Sequence, residues 1–288
     1  MKVINDFKDY EILDMANGQK LEKWGNIILS RPDPQIIWTD KNIAKWNEDA
    51  EYRRSSTGGG KWNIKKNIPD SWIIEYKDLK FNLKLMGFKH TGLFPEQAFN
   101  WDLIREKIKE SKREIKVLNL FAYTGGASIA ALKEGASVVH VDSSRGMIDW
   151  AKENVKINNL EDKSIRFLVD DVRKFVKREI RRGNKYDIII MDPPSFGRGS
   201  KNEVWNIETD LNELIKDTTE LLSSDEPLLF IINSYTTGLS KTVLENLLYL
   251  NIENKHHGKI TSHELGLPMK DSNLILPCGD TARWESIK

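Results

Sequence analysis

Val117-Leu118-Asn119-Leu120-Phe121-Ala122-Tyr123-Thr124-Gly125-Gly126-Ala127-Ser128 decides the fold. A short apolar run ends at a polar turn, paired glycines follow, and small residues open the next helical stretch. That is a buried strand turning tightly into a helix. Working outward, the alternation repeats. Upstream, Ala98, Trp101, Ile104 and Ile108 stand at helical spacing between 96 and 113. Downstream, strands are expected at 138–141, 165–169, 187–191 and 228–232, with helices near 128–133, 145–157, 172–182 and 207–222. Gly183 is a stop signal for the third of these helices. Apolar runs separated by helices predict a parallel sheet covered on both faces. The tail breaks the rhythm with a helix near 239–250 and two strands near 259–265 and 273–276. Their connection is too short for a crossover, so the two strands are expected to pair antiparallel.

The first 84 residues read differently. Trp24, Trp38, Trp46, Trp62 and Trp72 are interleaved with short β-like runs at 26–29, 72–76 and 81–85, and with turn signals at Pro32-Asp33-Pro34, Asn47-Glu48-Asp49 and residues 55–60. A small β-rich domain over 1–84, followed by an α/β domain over 85–288, is the expected organisation. Lys plus Arg number 44 against 43 Asp plus Glu, a net charge of +1, so any surface for nucleic acid has to be local. No apolar run reaches the length of a membrane span, no signal pattern opens the chain, and the one cysteine, Cys278, excludes an internal disulfide. A cytoplasmic location without a membrane partner is expected. The five histidines show no zinc-ligand spacing, so no metal is expected.

In an open α/β sheet, ligands bind outside the carboxyl ends of the strands. Three such ends carry polar signals. The first is the glycine turn, without the G-x-G-x-x-G spacing a dinucleotide pyrophosphate requires, which argues against a nicotinamide-dependent oxidoreductase. The second is Asp142, able to accept from two vicinal ribose hydroxyls. The third is Asp170-Asp171-Val172, where a carboxylate can take an adenine amine and Val172 can offer its N–H. Each acid alone is equally readable as a helix cap. Together they describe an adenosine pocket with no phosphate requirement, which S-adenosyl-L-methionine fits. A fourth end, Asp192-Pro193-Pro194-Ser195-Phe196-Gly197, is stiffened by two prolines. Asp192 and the proline carbonyls there can face the amino or imino group of a planar base, and Phe196 can stack on its ring.

These four stretches resemble the class I methyltransferase motifs of the bacterial large-subunit rRNA methyltransferases that modify cytosine C5 or guanine N7. Gly92-Leu93-Phe94-Pro95-Glu96-Gln97 is similar to the segment lying over the cofactor in that family. The resemblance covers about 85–280. It implies a Rossmann-like, seven-stranded class I sheet with its last strand antiparallel. It places Phe94, Gln97, Asn119, Tyr123, Thr124, Gly125, Asp142, Ser143, Asp171 and Asp192 around S-adenosylmethionine. Val172 joins them from its position, and Asp192, Pro193, Ser195 and Phe196 form the catalytic group. The acid that usually opens the glycine motif is Asn119 here, which is expected to bond the methionine ammonium without a full charge.

Two departures bear on chemistry. Family members that act on cytosine C5 use a cysteine after the fifth strand, where this sequence reads Asn233-Ser234-Tyr235-Thr236-Thr237-Gly238. Cys278, at the end of the last expected strand, is read as buried and on the face away from the cofactor. Direct transfer to a ring or exocyclic nitrogen is therefore expected, with Asn233 and Ser234 as secondary substrate contacts. Candidate RNA contacts are the basic run 172–185, the stretch Tyr52-Arg53-Arg54 to Lys61-Trp62, and a glycine-rich loop at 197–201. The basic run reads somewhat better as a solvated helix. The alternatives to an RNA methyltransferase are one acting on a small molecule or protein, and a non-catalytic RNA-binding module that retains the fold.

Overall fold

Alternating apolar and polar residues at the start of the chain fold as short strands. The computed structural model describes residues 1–39, 45–55, 59–198 and 203–287. Strand β1 (Lys2–Val3) precedes β2 (Tyr10–Ala16), β3 (Gln19–Trp24), β4 (Ile27–Pro32), β5 (Ala50–Arg54) and β6 (Gly60–Ile64). The last five form one sheet in chain order, antiparallel except for β4 with β5. Asn17 and Gly18, both at positive φ, make the two-residue turn that joins β2 to β3. A separate hairpin pairs β7 (Trp72–Tyr76) with β8 (Leu79–Leu83). Inside, Glu22 is fully buried but held by Arg31, with Nε to Oε2 at 2.5 Å and Nη2 to Oε1 at 2.7 Å, and by the Tyr10 hydroxyl at 2.7 Å. Burial opposes its charge. Arg31, Lys20 and the hydrogen bonds outweigh that and hold its pKa down at about 2.

The chain then alternates helices and strands. They are α1 (Ala98–Ser111), β9 (Lys116–Leu120), α2 (Gly126–Lys133), β10 (Ser137–Asp142), α3 (Arg145–Ile157), β11 (Ile165–Val169), α4 (Val172–Arg182) and β12 (Ile188–Met191). A small hairpin of β13 (Phe196–Arg198) and β14 (Val204–Asn206) follows, then α5 (Ile207–Thr219), β15 (Leu229–Ser234), α6 (Lys241–Ile252), β16 (Gly258–Pro268) and β17 (Ile275–Ser286). Their sheet runs β16-β17-β15-β12-β9-β10-β11. The pairs among β9, β10, β11, β12 and β15 are all parallel, and β17 is antiparallel to β15. Buried Leu118, Leu120, Ile189, Met191, Phe230 and Ile232 pack with α4, α5 and α6 on one side. The expected seven-stranded α/β sheet with its last strand antiparallel is thus present, and β1 adds an eighth strand beside β16. Because the chain starts at central β9, moves out to β11 and returns to β12, the topological switch point lies between β9 and β12.

Two compact units result, one of residues 2–98 and 265–278, the other of Met1, 99–264 and 279–288. In the first unit β1 pairs in parallel with Leu265 and Gly266. The segment after 84 stays with it because Lys84 N–H donates to Thr91 O, Trp62 Nε1 to Phe88 O and Arg31 Nη1 to Lys89 O. Periodicity alone carries no trace of these tethers. Among the described residues no helix is long and apolar enough to cross a membrane.

Candidate active site

At the switch point, β9 leaves the sheet through a strained turn. Phe121 and Tyr123 sit at φ 55° and 50°, and Gly125 at 91°. A left-handed conformation in two aromatic residues is costly and needs support from the surroundings. Support comes from three sides. Ala122 N–H donates to Val141 O at 3.0 Å, Tyr123 N–H to Asp142 Oδ2 at 2.9 Å, and Asn154 Nδ2 of α3 to Thr124 O at 2.9 Å. The paired glycines have separate reasons. Gly125 supplies the positive φ, whereas a Cβ on Gly126 would come within 2.9 Å of Trp101 Cζ2. The second glycine therefore serves the packing of α1 on α2 rather than approach to a ligand.

Asp142, half-buried at the end of β10, also accepts from Ser144 N–H at 2.8 Å through Oδ1. Burial pushes its carboxyl above the ordinary range, against these two donors. Each oxygen keeps a lone pair directed elsewhere, as a pair of ribose hydroxyls needs. Ser143 is exposed beside it, and Ser144 caps α3. At the end of β11, Asp171 caps α4, accepting from Lys174 N–H at 3.0 Å, and its other oxygen lies 3.7 Å from Arg173. The capping role is real, yet an exocyclic amine would compete only with that looser contact. Val172 is buried.

Asn119 is buried, and its Nδ2 donates to Ser128 Oγ at 2.9 Å; an ammonium would be met by its acceptor Oδ1, which this bond does not use. The Asp192 turn is also more closely tied than the sequence suggested. Asp192 N–H donates to Leu120 O at 3.3 Å, which joins it to the glycine strand. Pro193 is buried, while the Pro194 carbonyl accepts from Trp205 Nε1 at 2.6 Å. Ser195 Oγ meets Thr236 Oγ1 at 2.6 Å, joining the turns after β12 and β15. Phe196 is 57% exposed on β13. Trp205 was missed in the sequence. Buried on β14, it packs against Phe121 with centroids 5.3 Å apart and lies beneath Arg173, so it links three motifs. Its only sequence signal is a tryptophan just before a helix.

Other expectations change. Asn233 and Ser234 are buried: Asn233 Oδ1 accepts from Asn100 Nδ2 at 3.0 Å and Ser234 Oγ accepts from Thr236 N–H. Neither presents its side chain as a substrate contact. Cys278 lies near the start of β17, not the end of a last strand on the far face. Asp280, two residues on, pairs with Ser234 at the carboxyl end of β15. The thiol is half-buried, donates to Leu276 O at 3.3 Å, and burial pushes its pKa well up. The basic helix α4 is neutralised by its neighbours. Arg173 pairs with Asp210, Lys174 with Glu203, Lys177 with Glu213, Arg178 with Asp170 and Arg182 with Glu179. In the β5–β6 hairpin, Tyr52 is buried edge-to-face on Trp62, so these aromatics pack inward. Arg53, Arg54 and Lys61 are exposed there. Residues 56–58 and 199–202, which belong to the two expected glycine loops, lie outside the described residues. Phe94 and Gln97 belong to the β-rich unit, at and just after the start of a 3-10 turn. Among the described residues no cluster of side chains is arranged to hold a metal.

Residues 39–248 match a family model described as S-adenosylmethionine-dependent methyltransferase. A ribosomal RNA large subunit methyltransferase K/L of Shewanella frigidimarina is 37% identical over 163 residues, 56% of this chain and 22% of that protein. A ribosomal RNA large subunit methyltransferase K of Neisseria meningitidis serogroup B is 32% identical over 181 residues, 62% of this chain and 49% of the relative. The matched part is therefore less than half of each curated relative. The crystal structure of a SAM-dependent methyltransferase from Agrobacterium tumefaciens superposes with a TM-score of 0.92 at 33% identity, covering 99% of this chain and 93% of that one.

Proposed function

Because the chain belongs to the S-adenosylmethionine-dependent methyltransferase family, with that cofactor as methyl donor, we propose that it methylates a base nitrogen of ribosomal RNA. The observation that carries this reading is the Asp192-Pro193-Pro194-Ser195-Phe196 turn, hydrogen-bonded to the glycine strand at the switch point of the sheet. When bound, the cofactor supplies an electrophilic methyl on a sulfonium. The protein's part is placement and electrostatics. Asp142 would accept from the ribose hydroxyls through the lone pairs its two backbone donors leave. Asp171 and the Val172 N–H would meet the adenine edge. Tyr123, Thr124 and Gly125 would wall the methionine side, and Ser143 stands beside the ribose acid. Asn119 would hold Ser128 through its amide nitrogen, with Oδ1 the atom able to accept from the ammonium. Phe94 and Gln97 are assigned to the cofactor by family resemblance alone.

Asp192 would accept from the nucleophilic amino or imino group and hold its lone pair in line with the methyl. The exposed ring of Phe196 is suited to stack on the base, while Pro193 and the Ser195–Thr236 contact hold the turn. With no thiol in residues 233–238, direct transfer is favoured over attack on cytosine C6. The names of the relatives support rRNA as substrate. Exposed Arg53, Arg54 and Lys61 in residues 1–84 are suited to phosphate contact, and the cytoplasm is where such a substrate resides. A second reading, transfer to a small molecule or protein, draws on the neutralised charges of α4. Labelled methyl groups followed into RNA, protein and metabolite fractions decide between them, and mass-spectrometric mapping of rRNA from a deletion strain locates the base. Label confined to protein or metabolites would overturn the RNA reading.

A further inference from the structure

Behind the glycine turn runs a buried polar chain that cofactor contacts do not explain. Asn119 of β9 and His140 of β10 are register partners on adjacent parallel strands. Ser128, in the first turn of α2, bridges them. Its Oγ accepts from Asn119 Nδ2 and meets His140 Nδ1, both at 2.9 Å. Asn119, Ser128 and His140 are 3%, 1% and 0% exposed. An amide nitrogen can only donate. The arrangement that also pairs the buried Ser128 hydroxyl proton has Ser128 accept from Asn119 and donate to Nδ1, which leaves the ring proton of His140 on Nε2. That atom is buried and makes no hydrogen bond among the described residues. The ring itself packs on the turn: His140 Cε1 lies 3.4 Å from where a Cβ on Gly125 would stand. The Tyr123 backbone favours a proton on this ring, as a carbonyl does.

We propose that Asn119, Ser128 and His140 form a positioning relay, which fixes the His140 tautomer so that the ring packed on the left-handed Tyr123–Gly125 turn carries its proton on Nε2 when cofactor binds. The proposal rests on reading that turn as the cofactor site. It also gives a reason for the amide at 119. An aspartate there could only accept. It would take the Ser128 proton, leave Nδ1 to keep its own, and bare the Nε2 lone pair of the ring packed on the turn. The change would fall on a turn already strained at Phe121 and Tyr123.

Long-range proton–nitrogen NMR on the histidine-labelled full chain reads the tautomer directly. The expected pattern for His140 is protonated Nε2 with bare Nδ1, and protonated Nδ1 in the wild-type protein would overturn the relay. Calorimetry with S-adenosylhomocysteine reads the consequence. Asn119→Asp and Ser128→Ala should each bind about tenfold more weakly, with the His140 signals altered. Wild-type affinity in both variants would overturn the positioning role. If the wild-type protein itself bound no S-adenosylhomocysteine, the cofactor-site reading would fall. The tautomer result is independent of that, so the two failures are distinguishable.

Discussion

Tyr123 donates its backbone N–H to Asp142 Oδ2 at 2.9 Å, so the acid that ends β10 also holds the turn that ends β9. Ser144 N–H, on the way into α3, binds the other oxygen of the same carboxylate. One side chain thus fixes two loops beside the expected ribose position. Asp142→Ala removes the ribose acceptor and leaves two backbone donors without their partner. Each such loss costs about 1–3 kcal/mol where water is excluded. S-adenosylhomocysteine affinity should fall by about 10- to 100-fold in calorimetry. Asp142→Asn, which retains one acceptor oxygen, should lie between. Wild-type affinity in the alanine variant would remove Asp142 from the cofactor site.

Gly126 has no room for a side chain, because Trp101 occupies the space a Cβ would fill. Trp101 is almost fully buried and rigid on α1, so it cannot yield cheaply. Gly126→Ala should destabilise the protein by about 1–3 kcal/mol through overpacking, read as a lower midpoint in urea unfolding. The same change at Gly146 meets only Ser144 Oγ, 3.9 Å away, and should be nearly neutral. Equal stability of the two variants would contradict the packing role.

Much of this was legible in the sequence because it rests on local rules. The apolar runs set the strands, and Gly183, at φ 70°, ends α4 where a glycine stop was read. Asp142, Asp171 and Asp192 stand at strand ends as read, because the residue just past an apolar run marks where the strand stops. What stayed hidden depends on distant partners. Nothing near 119 announces that its amide faces Ser128 and His140, nor does 205 announce that its indole holds the Pro194 carbonyl. The ion pairs that tie α4 to α5 stayed hidden because the partners lie some forty residues later, as with Arg173 and Asp210. Cys278 was misplaced because β17 is far longer than the short run that marked it, and the register with β15 cannot be read from composition.

In the proposed direct transfer, Asp192 is the residue that orients the nucleophile. Its backbone is tied to Leu120, so the turn keeps its place when the side chain is removed. Asp192→Ala should lower methyl transfer to RNA by about 100-fold or more, since orientation and charge at the nucleophile are lost together. The unfolding midpoint should change little. Transfer close to the wild-type rate, with normal cofactor binding, would take Asp192 out of the mechanism.

Cys278→Ser tests the covalent alternative. The thiol is half-buried, donates to Leu276 O, and is held protonated by burial and by Glu96, so little thiolate is present at neutral pH. A serine keeps the hydrogen bond. Turnover should stay within about twofold of wild type, the range of a change that touches no reacting group. Loss of turnover with intact cofactor affinity would restore a cysteine-dependent route to cytosine C5.

Two histidines, buried His140 and half-buried His90, set the acid limit of stability. His140 is depressed from 6.5 to about 3 by burial, with no charged side chain acting on it. In the β-rich unit His90 is depressed to about 3, first by burial and then by Arg31. For a base whose folded pKa lies below its unfolded value, the unfolded chain takes up the proton first. Stability is then unaffected above about 6.5 and falls as the pH drops from there toward 3. Glu22, depressed to about 2, adds its own loss only below its ordinary value of 4.5. Between pH 6 and 5 the histidines therefore dominate, at up to about 1.4 kcal/mol per pH unit for each. His140→Gln cannot take up that proton. Urea unfolding at pH 7, 6 and 5 should show a shallower acid slope for the transition of the larger unit, though the variant starts from lower stability at pH 7. An unchanged slope would mean that His140 is already charged in the folded protein, in conflict with a neutral ring between Ser128 and the turn.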